Sequence, residues 1–79
     1  MNFPRYVRTT CRAFLGRYGN QADLERIVGA YDYTADPSEQ VEIICSIQRL
    51  ERARRNAFLG RVENDGDTHI RAVRWIRAQ

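Results

Sequence analysis

The only imidazole in this chain is His69, and its only thiols are Cys11 and Cys45. With the carboxylates of Glu39, Glu42, Asp65 and Asp67, these are the side chains whose types could do chemistry. A thiol beside an imidazole makes an activated nucleophile. Nothing in the sequence sets either cysteine against His69, so the ring is expected to be solvated or to cap a helix. Two thiols and one imidazole are too few for a zinc site at any usual spacing. Glu39 and Glu42 could pose as paired carboxylates, but a simpler reading exists. Asp36-Pro37-Ser38-Glu39 is a helix start in which Glu39 closes a capping box, leaving Glu42 on a wet helix face. Asn64-Asp65-Gly66-Asp67 has the flavour of a calcium loop without its length or spaced ligands. The expectation is a protein with no catalytic, metal or cofactor residue.

Seventy-nine residues make one small domain, residues 1–79, which buries roughly 60–65% of its unfolded surface. The cysteines lie among apolar neighbours, where a free thiol behaves as a small hydrophobe. They are expected to stay reduced. No apolar run approaches the roughly 20 residues that span a bilayer, and the first 19 residues lack the apolar centre of a signal peptide. A cytoplasmic protein without a membrane partner is expected.

Helical periodicity organises the chain. Asn2-Phe3-Pro4 opens a first helix, with Asn2 as its N-cap. Phe3, Val7, Cys11, Phe14 and Tyr18 recur every three or four residues as its apolar face, and Gly19 stops it. Asn20 caps a second helix, with Asp23 in its first turn and Leu24, Ile27, Val28 and Tyr31 on one face. Asp36 caps a third, which the pattern carries unbroken from Pro37 to about Phe58. Ile43, Ile47, Leu50 and Ala57 form its stripe, broadened by Val41, Ile44, Ala53 and Phe58. About 22 residues give a rod of about 33 Å, along which the shorter helices would pack. After the turn at Asn64–Asp67, Ala72, Val73 and Ile76 suit a last helix beginning near Thr68. A β-hairpin closed by that turn is the alternative. The fold expected is therefore all-α, three to four helices around one long one, with a C-terminal hairpin as fallback.

All thirteen basic residues are arginine, for which codon usage is the simplest account. Their distribution says more. Residues 1–18 carry a net charge of +4, residues 19–48 a net −5 and residues 49–79 a net +4. One reading is internal complementarity, in which the acidic middle neutralises the basic ends and Glu51 with Arg55 is an ordinary i, i+4 pair. The other is a basic surface for a partner. Arg49, Arg52, Arg54, Arg55 and Arg61 would join Arg71, Arg74 and Arg77 in one surface, with Arg49, Arg52 and Arg55 as a ridge on one flank of the long helix. Phosphates or protein carboxylates could meet it. Trp75 sits beside Arg74. A single tryptophan in so small a domain is usually core, but Trp and Arg are also the residues most enriched at binding hot spots. The Tyr31-Asp32-Tyr33 segment is ambiguous in the same way.

These features point to a non-catalytic binding protein whose partner-binding residues would be Arg49, Arg52, Arg55, Arg71, Arg74 and Trp75. In size, compactness and charge segregation the chain resembles the small inhibitors that phages make against host machinery, anti-CRISPR proteins among them. The likeness is one of kind and assigns no residue. It implies a protein or ribonucleoprotein partner such as a bacterial immune effector, blocked on a surface that nucleic acid would use. The alternative is a small nucleic-acid-binding regulator using the arginine surface directly. The acidic stretch from Asp23 to Glu42, which would repel a phosphate backbone, argues against that alternative. A third class is an assembly protein that oligomerises through the long helix.

Overall fold

Asp36 starts a helix as its sequence suggests: its Oδ1 accepts the Ser38 backbone N–H at 3.1 Å, and Pro37 fills the first turn. In the computed structural model, which describes residues 3–79, this is one of five helices: α1 (Arg5–Tyr18), α2 (Gln21–Ala30), α3 (Pro37–Ser46), α4 (Arg52–Val62) and α5 (Asp67–Arg77). A single 3-10 turn, Tyr31–Tyr33, follows α2. There is no strand among the described residues, so the hairpin alternative is not realised. The expected cap Asn2 lies outside the described residues; Pro4 occupies the N-cap position of α1. Asn20 and Asp23 form a reciprocal capping box at the start of α2, at 2.9 and 3.0 Å.

The long rod expected from Pro37 to Phe58 is two helices. The chain leaves α3 at Ile47, turns through Gln48–Leu50 with a Leu50 N–H to Ile47 carbonyl bond of 3.1 Å, and restarts at Glu51. The Glu51 carboxylate caps α4 by accepting the Ala53 and Arg54 backbone N–H groups at 3.1 and 3.2 Å. The reason lies in the periodicity. At about 100° per residue, an unbroken helix would set Glu51 and Arg54 within about 40° of the buried Ile47. Burying two such charges without partners is costly. The break removes both from the core, and it rotates Leu59 and Val62 inward in place of Ala53 and Ala57, which are exposed. Glu51 accordingly makes no pair with Arg55. Replacing Glu51 by alanine should cost about 1 kcal/mol, the usual value of a lost N-cap. Thermal unfolding followed by circular dichroism would register this; an unchanged midpoint would mean that the carboxylate does not hold the start of α4.

The core is built by α2 to α5. Leu24, Ile27, Val28 and Tyr31 meet Ile43, Ile44, Ile47 and Leu50, closed by Phe58, Leu59 and Val62 and by Ala72, Val73 and Ile76. The central element is α3, which packs against α1, α2 and α5. Against the expected arrangement, α1 buries no residue fully. Its apolar face is turned outward, leaving Phe3, Phe14 and Tyr18 at 53%, 60% and 66% exposure. The opposite face is the one that docks, charged at Arg5, Arg8 and Arg12 and apolar at Leu15, which packs against the core.

Candidate interaction surfaces

The contact between α1 and α3 is electrostatic. Arg8 grips Glu39 with both ends of its guanidinium, Nε to Oε2 and Nη2 to Oε1, each at 2.8 Å. Arg12 adds Nη1 to the same Oε2 at 2.5 Å. One turn away, Arg5 bridges Asp36 at 2.6 Å and Glu42 at 3.1 Å, and the Thr9 hydroxyl donates to Glu42 at 2.9 Å. Glu39 is 4% exposed. The Arg8 hydrogen bonds, helped by Arg12, outweigh that burial and hold its carboxyl down at about 2. Glu39 therefore closes no capping box, and Glu42 lies under α1 rather than on a wet face. The two helices can come this close because residue 16 is glycine: a Cβ there would overlap the Ser46 carbonyl oxygen.

The same neutralisation runs through the fold. Asp23 pairs with Arg26, Glu25 with Arg54, Asp32 with Arg61 and Glu63 with Arg77. Charge complementarity between the chain's blocks thus accounts for Arg5, Arg8, Arg12, Arg54 and Arg61, and pairing within a block for Arg26 and Arg77. Among the described residues, Arg17, Arg49, Arg52, Arg55, Arg71 and Arg74 make no carboxylate pair.

The six residues expected to meet a partner divide into three groups. Arg49 lies in the turn before α4, where its guanidinium donates to the Gly19 carbonyl at 2.9 Å and so ties down the end of α1. Arg55 is partly buried and donates to the Gln48 carbonyl at 3.1 Å, across the same turn. Arg52 is exposed at the first position of α4. No ridge of Arg49, Arg52 and Arg55 exists on one helix, because the helix breaks between the first and the second. Arg71, Arg74 and Trp75 do come together, at i, i+3 and i+4 on the outer face of α5. The inner face of that helix buries His69, Ala72, Val73 and Ile76. Trp75 is 48% exposed, so it is not the core residue that a lone tryptophan usually is.

Of the groups considered for chemistry, His69, Glu39 and Asp65 make internal hydrogen bonds. His69 is buried rather than solvated, at 2% exposure, with Nε2 at 2.9 Å from Gln40 Oε1 of α3. No hydrogen bond joins it to either thiol among the described residues. Cys11 is exposed on the outer face of α1, and Cys45 is half-buried with its thiol pushed up by burial and by Glu42. Tyr31 and Tyr33 separate: Tyr33 is fully out, while Tyr31 is buried edge-on to Phe58 at 5.4 Å and donates to Asp65 at 2.6 Å. Burial, and then the Asp65 carboxylate, push the Tyr31 phenol well above its ordinary value. Asp65 thus serves as a tether. No cluster of three metal-binding side chains occurs, and no helix is long and apolar enough to cross a membrane, among the described residues.

Sequence reasoning missed the outward aromatic face of α1. The signal that could have found it is the opposite face: Arg5, Arg8, Thr9 and Arg12 share one side of the helix, matching Asp36, Glu39 and Glu42 on one side of α3. No family model, curated protein or solved structure matches the chain.

Proposed function

We propose that this chain is a non-catalytic binding protein that docks on a macromolecular partner through the outer face of α5. The observation that carries this reading is the half-exposed Trp75 on the same helix face as Arg71 and Arg74, two guanidiniums without a carboxylate partner among the described residues. Seven of the other arginines pair with carboxylates of the chain, and the core takes up His69, Ala72, Val73 and Ile76 of α5. An exposed tryptophan beside two free arginines has the composition of a hot spot. Arg52, also unpaired, extends the set of free cations. The partner class is a protein or ribonucleoprotein, with a bacterial immune effector of the CRISPR type as the form that the sequence resemblance implies.

The test is inhibition of target-DNA capture by such an RNA-guided effector, with the chain added. Intact protein is expected to inhibit, and R74A/W75A to lose at least about tenfold in potency with an unchanged helical spectrum. Equal potency of the variant would remove α5 from the reading. Direct binding of nucleic acid is the second reading, and the neutralised acidic block favours it more than the bare sequence does. Submicromolar affinity for random duplex at about 0.15 M salt, falling steeply as salt rises, would establish it in place of the first.

A further inference from the structure

An amphipathic helix normally turns its apolar side to the core, and α1 does the reverse. The half-buried Val7 and the exposed Cys11, Phe14 and Tyr18 follow one another on its outer side, with Tyr6 flanking them at 74% exposure and Phe3 exposed just before the helix. The spacing of four, three and four from Val7 to Tyr18 is that of a helix-pairing seam. We propose that this seam joins two copies of the chain, their α1 helices antiparallel about a two-fold axis beside Cys11.

Three observations select a second copy as the occupant. The first is area. Phe3, Tyr6, Phe14 and Tyr18 are 53–74% exposed. At about 200 Å² per ring they leave about 500 Å² of aromatic surface in water on each copy. That equals the largest apolar patch of a typical monomer. Paired, it amounts to about 1,000 Å² in total, the low end for a specific interface. The second is symmetry. Val7 with Phe14 and Thr10 with Cys11 are centred on the same point of the helix, and Phe3, just before it, is as many residues from that point as Tyr18. An antiparallel copy therefore sets ring against ring at both ends, ring against valine inside, and small side chains at the axis. Such self-complementarity is what a two-fold contact requires.

The third observation is charge. α1 carries four arginines, which would forbid self-association if they faced the partner helix. Arg5, Arg8 and Arg12 are instead turned inward and paired with Asp36, Glu39 and Glu42. Only Arg17 remains on the outer side, above the Tyr18 ring at 5.8 Å. Antiparallel pairing separates the two Arg17 side chains by about 20 Å along the axis, beyond the screening length at physiological salt. Parallel pairing would set them side by side. The Arg–Glu dock between α1 and α3 thus hides the charge of the helix and presents its aromatics. This inference rests on α1 and stands apart from the reading of α5.

Sedimentation of the full chain between about 1 and 500 μM should show a monomer–dimer equilibrium with a dissociation constant on the order of 10 μM. F14E, on an exposed position, should weaken it by on the order of 30-fold with the helical spectrum intact, and Y18E should act the same way. Orientation is read by cross-linking with a short bismaleimide. F3C and Y18C variants, each in a C11S background, should cross-link on mixing far more than either does alone. The wild type should cross-link through Cys11. A monomer across the whole range would overturn the proposal, as would a dimer indifferent to both F14E and Y18E. Preferential cross-linking of F3C or of Y18C to itself would overturn the antiparallel arrangement.

Discussion

Replacing Glu39 by alanine should cost about 3 kcal/mol and release α1 from the rest of the fold. The carboxylate is 4% exposed and receives three guanidinium hydrogen bonds from two arginines. Its removal leaves Arg12, only 12% exposed, facing no charge. Breaking one side of a buried pair typically costs 3–5 kcal/mol, about a third of the stability of a domain this size. Because no residue of α1 is fully buried, the loss should fall on α1 itself while α2 to α5 retain their core. Trypsin should then cut early at Arg5, Arg8 and Arg12, at conditions where the parent chain is resistant. Acid should do the same thing reversibly. The folded Glu39 carboxyl titrates at about 2 against an ordinary 4.5. Its contribution is therefore complete above about pH 4.5 and is lost as the pH falls from there towards 2. Stability measured by denaturant titration should lose about 3 kcal/mol from this group over that window, and the decline should be smaller by about that amount in E39A. Equal acid sensitivity in the two proteins would show that Glu39 does not carry the linkage.

The second large effect is expected at Gly16, where the sign is the informative quantity. A glycine inside a helix ordinarily gives way to alanine with a gain of about 1 kcal/mol, from lost backbone freedom in the unfolded chain. At Gly29 and Gly60 a Cβ would meet nothing within 4 Å, so G29A and G60A should each raise stability by about 0.5–1 kcal/mol. At Gly16 the Cβ would overlap the carbonyl oxygen of Ser46, a backbone atom that cannot rotate aside. G16A should force α1 away from α3, stretch the Arg8 and Arg12 bonds to Glu39, and cost about 1–3 kcal/mol as overpacking does. In a domain of this size each kcal/mol moves the melting midpoint by about 4–8 °C, so the opposite shifts are easily separated. A stabilising G16A would contradict the close approach of the two helices.

Local chemistry alone determined much of this protein. The caps at Asp36 and Asn20, the stop at Gly19 and the helical face of Ala72, Val73 and Ile76 depend on residues a few positions apart. Each was legible from spacing. The separation of basic and acidic blocks likewise announced internal pairing. Tertiary structure decided what depends on distant partners. Periodicity finds an apolar face, but it does not say which face of α1 turns inward. That choice was made by Asp36, Glu39 and Glu42, which offered Arg5, Arg8 and Arg12 a better contact than the already filled core offered Phe14 and Tyr18. Periodicity also ran through Glu51 and Arg54, because a stripe tolerates a charged residue on paper that a buried surface does not. The break at Ile47 followed from the need to keep those two charges in water. It dispersed the arginine ridge, and it left Arg71, Arg74 and Trp75 as the expected binding residues that share one exposed face.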